Sequence, residues 1–149
     1  VKHFEIYTDG SAKDSWGSWS YLVLHEGKIV AEASGRQGRT NSNRMEFQAA
    51  IKALQYLVSQ ETEPQEFGVT LFTDCKILLE KISNLPEWQA ANWLRPNHPP
   101  IPNADLFREL YALTQKQAVT WKWVRAHSGN SYNERCDELC RLAREGALV

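Results

Sequence analysis

Residues 69–82 read VTLFTDCKILLEKI. Residues 69–74 are β-branched and aromatic enough for a strand, and 75–82 read as the helix that follows it. Just upstream, 40–60 (TNSNRMEFQAAIKALQYLVSQ) repeats Phe47, Ile51, Leu54 and Val58 at helical spacing behind the capping residues Asn41 and Ser42. Before that helix come three strand-like runs, 4–8, 18–25 and 28–34, with Glu26 and Gly27 suited to a hairpin turn. Beyond 82, four prolines fall within residues 95–102 and break any regular element there, making 84–103 a surface excursion. A helix starting near Ala104 carries Leu106, Leu110 and Leu113 on one face. The alternating strand VTWKWVR (119–125) and a last helix over 133–144 close the chain. An antiparallel meander followed by alternating strands and helices is an α/β pattern, and strand 69–74 is expected parallel to strand 4–8.

With 149 residues, 42% of them hydrophobic, residues 1–149 are expected to form a single domain around one core, and a monomer. No apolar run approaches the ~18 residues that span a bilayer, and the start VKHFEIY lacks the apolar middle of a secretory signal. The expectation is a soluble cytoplasmic protein without a membrane partner. Cys75, Cys136 and Cys140 form no CxxC pair, which argues against a zinc ribbon or a disulfide framework and for small buried apolar groups. The formal charge of −1 speaks, taken alone, against a nucleic-acid binder.

Four acids stand in awkward places. Asp9 follows the first strand as Asp74 ends the parallel one, so neighbouring strands put both at the carboxyl edge, where open α/β sheets bind ligands. Capping of the next helix explains either residue alone equally well. Glu46 shares a helix face with Ala50, Ala53 and Leu57, where an unpaired acid costs several kcal/mol. Asp137 lies in the first turn or so of the last helix, where the dipole favours any acid by roughly 0.3–1 kcal/mol. Carboxylates held together repel one another unless cations neutralise them, and oxygen donors suit Mg²⁺ or Mn²⁺ rather than zinc. Two such ions about 3.5–4 Å apart activate a water and stabilise a leaving phosphodiester oxygen.

Four stretches, YTDGSA (7–12), NRMEF (43–47), LFTD (71–74) and VRAHSGNSYNERCDELCRLA (124–143), resemble in order the motifs of the cellular ribonuclease HI family. The resemblance covers nearly the whole chain. It implies a ribonuclease H-like fold, with a five-stranded mixed sheet of three antiparallel and two parallel strands flanked by helices. It also implies an endonuclease that hydrolyses the RNA strand of an RNA/DNA hybrid to 5′-phosphate and 3′-hydroxyl ends with two Mg²⁺, Mn²⁺ being a possible substitute. Asp9, Glu46, Asp74 and Asp137 match the family's metal-binding acids. His127 matches a loop histidine thought to assist proton movement or product departure. Asn43 matches a position that reaches the substrate near the cut, and Gly10, Ser11, Asn43 and Glu46 are where the RNA 2′-hydroxyl is expected to be read. Two bound divalent ions would reverse the sign of the formal −1 charge, which meets the objection from net charge.

The chain departs from the family pattern in three places. The segment SAKDSWGSWS (11–20) is shorter than usual and lacks proline. Cys75 and Lys76 follow the third acid where serine and glutamine are common, and Lys76 is a candidate phosphate contact. The excursion keeps Trp88 and Trp93, candidates for DNA contact or equally for packing of the excursion itself, yet offers only Arg95 and His98 as cations, so a shallow salt dependence of binding is expected. Other readings are a catalytically silent hybrid-binding module of the same fold, a DNA-cutting nuclease of the wider superfamily, and a domain of a longer polyprotein.

Overall fold

Strand β1 (Lys2–Lys13) runs through the middle of the sheet, antiparallel to β2 (Trp16–His25) on one side and parallel to β4 (Phe67–Thr73) on the other. The structure, a computed structural model, describes residues 2–60 and 67–146. Strand β3 (Lys28–Gly38) extends the meander, and β5 (Ala118–Trp123) adds a second parallel pairing, giving the order β3-β2-β1-β4-β5. Helix α1 (Ser42–Gln60) connects β3 to β4. It is followed by α2 (Lys76–Ile82), α3 (Leu85–Ala90), α4 (Ala104–Thr114) and α5 (Ser131–Arg144).

Alternation along β1 divides its side chains between two layers. Phe4 and Ile6 join Phe47, Ile51, Leu54 and Leu57 of α1 and Phe107 and Leu110 of α4 in the larger core. Tyr7 faces the other way and packs with Leu22, Leu24, Cys136 and Leu139 beneath α5. Ser18 and Ser20 of β2 donate to the Cys140 and Cys136 carbonyls at 2.7 Å each, fastening α5 to the sheet. All three cysteines are free and buried, as their apolar reading expects.

One local expectation needs correction. Strand β1 does not stop before Asp9: pairing with β2 continues from Asp9↔Ser20 to Lys13↔Trp16, because an antiparallel partner remains after β4 has ended. The excursion holds a short helix, α3, with Pro86 near its start, where the missing N–H is no loss. Trp93 is only 7% exposed, and its Nε1 donates to Gln89 Oε1 at 2.9 Å. Trp88 packs against both Trp93 and Phe107. The excursion is thus anchored to α4 through its tryptophans.

Candidate active site

The parallel register of β1 and β4 ends at Tyr7↔Phe72, so Asp9 and Asp74 each stand two residues past the last pair, at one level of the sheet. Alternation turns both away from the Phe4 and Ile6 layer. Glu46 arrives from the first turns of α1, whose start is capped by Asn41: its Oδ1 accepts from the Arg44 N–H at 2.9 Å. One carboxylate oxygen from each of Asp9, Glu46 and Asp74 lies within 4.8 Å of the others.

Gly10 permits this approach. A Cβ built there would lie 2.3 Å from both the Glu46 nitrogen and the Met45 carbonyl carbon. Those atoms belong to the helix backbone and cannot yield singly. Gly10→Ala is therefore expected to push α1 off β1, costing about 3 kcal/mol in urea unfolding and most of the activity. An unchanged unfolding midpoint would show that the approach is looser than this.

Burial, first, and then the negative charges of Asp74 and Asp137 push the Asp9 carboxyl up to about 8, against the lowering effect of the Gly10 N–H. Burial and the charges of Asp9 and Asp74 hold Glu46 well above the usual carboxylate range, and its Oε1 is buried without a hydrogen-bond partner. Asp74 has a neutral supporter: Asn133 Nδ2 donates to its Oδ2 at 3.2 Å. Asn133 is buried in the first turn of α5, behind the N-cap Asn130, whose Oδ1 accepts from the Tyr132 and Asn133 N–H groups.

Asn133 was not among the sequence candidates, although it shares a helical face with Asp137 one turn later. Its removal would free the Asp74 carboxylate to rotate. Asn133→Ala is expected to weaken Mg²⁺ binding by about 10- to 100-fold, read by calorimetric titration, with the fold retained. Wild-type metal affinity in that variant would leave Asn133 a packing role alone.

The other candidates fall into four groups. Asp137 is the seventh residue of α5, in its second turn, because the helix begins at Ser131 rather than at Asn133. It is exposed and stands outside the close group of three, although its charge reaches Asp9. Asn43, in the first turn of α1, and His127, in the loop after β5 with φ 55°, are both exposed. Ser11 follows Gly10 on β1, and its Oγ accepts from Arg144 at the far end of α5.

The remaining four concern the wider surface. Lys76 lies over the Trp123 ring at 4.8 Å. Trp93 is a core residue and Trp88, half-buried, is packed against that core, in keeping with the packing alternative for these two tryptophans. Arg95 donates to the Pro99 and Pro100 carbonyls at 2.6 and 3.1 Å, which ties its guanidinium to the excursion's own backbone.

The donor set fits a hard divalent cation. It is all oxygen, carries an orphaned buried oxygen on Glu46, and holds more negative charge than its protein surroundings offset.

The family profile of RNase H matches residues 1–146. Ribonuclease H of Francisella philomiragia subsp. philomiragia is 40% identical over 140 residues, covering 92% of this chain and 88% of the relative. Ribonuclease H of Francisella tularensis subsp. novicida is 39% identical with the same coverage. Among solved structures, LC9-RNase H1, a type 1 RNase H with the type 2 active-site motif, superposes with a TM-score of 0.84 at 24% identity, covering 99% of this chain and 74% of that one. LC11-RNase H1 in complex with an RNA/DNA hybrid gives 0.77 at 19% identity over 98% of this chain and 99% of that one. The two structures share the fold, and the profile together with the closer relatives establishes descent: the chain belongs to the ribonuclease H family.

Proposed function

We propose that this protein is a Mg²⁺-dependent endonuclease that hydrolyses the RNA strand of RNA/DNA hybrids, leaving 5′-phosphate and 3′-hydroxyl ends. The observation that carries it is the convergence of Asp9, Glu46 and Asp74, from a strand, a helix and a strand end, within 4.8 Å. These three would hold the metal, with Asp137 supplying charge from α5. Held by these carboxylates, a divalent cation would supply the Lewis acidity that activates a water and stabilises the leaving oxygen.

The chain's own residues do the rest. Asn133 fixes the Asp74 carboxylate, and the Gly10 N–H favours the ionised form of both Asp9 and Glu46. Gly10 brings β1 against the start of α1, so Ser11 and Asn43, on those two elements, flank the acids as polar readers of the 2′-hydroxyl. His127, exposed on its loop, is free to exchange a proton with departing product. A silent binding module finds no support in the acids, none of which is replaced by an amide.

The test is cleavage of one end-labelled sequence as RNA/DNA, RNA/RNA, DNA/DNA and single-stranded RNA, in Mg²⁺, Mn²⁺ or EDTA. Metal-dependent cutting confined to the RNA of the hybrid is expected. Cutting of DNA/DNA, or none at all by folded protein, would overturn the reading.

A further inference from the structure

Asp9, Ser11 and Lys13 project from the same face of β1. The sheet register continues that line: Lys13 pairs with Trp16, and Ser11 pairs with Ser18, whose neighbour on β3 is Arg36. The face is the one α5 covers, since Ser18 donates to the Cys140 carbonyl. Past the end of α5 it opens into a shallow cleft of ≈ 310 Å³ lined by Lys13, Asp14, Trp16, Arg36, Arg144 and Glu145.

Trp16 is 47% exposed, and the Arg36 guanidinium lies 4.1 Å from its ring centre. Arg39 lines a second cleft on the same tryptophan. Among the described residues neither Lys13, Arg36 nor Arg39 has a carboxylate partner, while Glu145 is engaged by Arg141 at 3.2 Å. Cations therefore outnumber free acids around an exposed aromatic ring. Arg144 ties the patch back to the site by donating to Ser11.

Guanidinium and ammonium groups beside an exposed indole suit a phosphodiester backbone whose sugars and bases can rest on the ring. Two observations favour nucleic acid over an acidic peptide. The patch starts about 13 Å along β1 from Asp9, at strand spacing, so a chain bound at the acids runs onto it. The excursion, meanwhile, has its Arg95 tied to its own carbonyls and its tryptophans packed inward.

We propose that Lys13, Trp16 and Arg36, with Arg144 behind them, form a second substrate-binding surface that holds the backbone of the RNA strand a few nucleotides from the cut. This rests on the hybrid-nuclease reading and adds to it where the grip lies. It also reverses the expectation of a shallow salt dependence, because the missing cations are found at the β1–β2 end of the sheet.

The experiment compares wild type with Lys13→Ala/Arg36→Ala, both side chains being exposed and outside the core. A long labelled RNA/DNA hybrid is titrated in Ca²⁺ across a salt series, and cleavage of long and short hybrids is followed in Mg²⁺. The expected result is a log affinity against log salt slope lower by about two and affinity for the long hybrid weaker by at least roughly tenfold. In cleavage, KM should rise for the long hybrid far more than for one ending short of the patch, with kcat changed much less. Ultraviolet crosslinking of the wild type with either strand labelled should tag the RNA, and the yield should fall in Trp16→Ala.

The two ideas fail differently. If wild type cuts hybrids while the double variant keeps the wild-type slope and KM, or if only the DNA strand crosslinks, the surface is overturned and the nuclease stands. If wild type binds hybrids with a slope the variant lowers but cuts none, the surface stands and the nuclease falls. Wild type that neither binds nor cuts hybrids overturns both.

Discussion

Asp9→Asn is expected to lower hybrid cleavage in Mg²⁺ by at least about 10³-fold, since a metal-holding carboxylate contributes several kcal/mol to the transition state. The same variant should be more stable than wild type when metal is removed. Burial and the charges of Asp74 and Asp137 penalise the ionised Asp9, and a neutral amide of the same shape escapes that penalty while keeping a polar group for Glu46 and Asp74 to face. Relief of a kcal/mol or two corresponds to a Tm rise of at least about 3 °C in EDTA. Loss of activity with a gain of metal-free stability separates a site residue from a structural one. Activity within tenfold of wild type would sink the role given to Asp9, and a fall in Tm in EDTA would mean that its charge is compensated by the protein.

The second large effect is on stability against pH. An ordinary aspartate in the unfolded chain ionises near pH 4, whereas folded Asp9 does so at about 8. Between these values the folded state keeps a proton the unfolded state has lost, so stability falls as pH rises. The loss begins near pH 4, ends near pH 8, and amounts to several kcal/mol in the absence of metal. Glu46, also raised, acts in the same direction. Saturating Mg²⁺ should abolish most of the decline, because the cation stabilises the ionised carboxylates that burial disfavours. The check is urea unfolding from pH 5 to pH 8 in EDTA and in Mg²⁺. Parallel curves in the two conditions would show that the acids do not bind the ion.

Much of this architecture is readable from local pattern. The 3.6-residue spacing of Phe47, Ile51, Leu54 and Val58 marks α1 because a helix buries a stripe, and the spacing survives in the folded protein except that Val58 is only half-buried. The cap at Asn41 is equally local: its side chain reaches the Arg44 N–H three residues on. Errors arise where a second strand or a neighbouring helix intervenes. The run of polar and small residues after Asp9 looks like the end of a strand, yet β2 holds it extended to Lys13. Whether Trp88 and Trp93 pack inward or face DNA stays open in the sequence, and their packing appears only once α4 lies beneath them.

The acids show the same division. Their chemical type, their order and the oxygen-only donor set are properties of the chain itself, and so is the match to the four family motifs. The family profile, which spans residues 1–146, covers all four of those motifs. Distances are not in the chain. That Asp9, Glu46 and Asp74 come within 4.8 Å depends on the parallel register of β1 and β4 and on the absence of a Cβ at Gly10. That Asn133 supports Asp74, and that Lys13, Trp16, Arg36 and Arg144 meet, depends on α5 crossing the sheet. Periodicity reports which face of an element is buried, because burial repeats with the backbone. Which faces then meet is set by packing between elements distant in sequence, and only the folded chain contains those contacts.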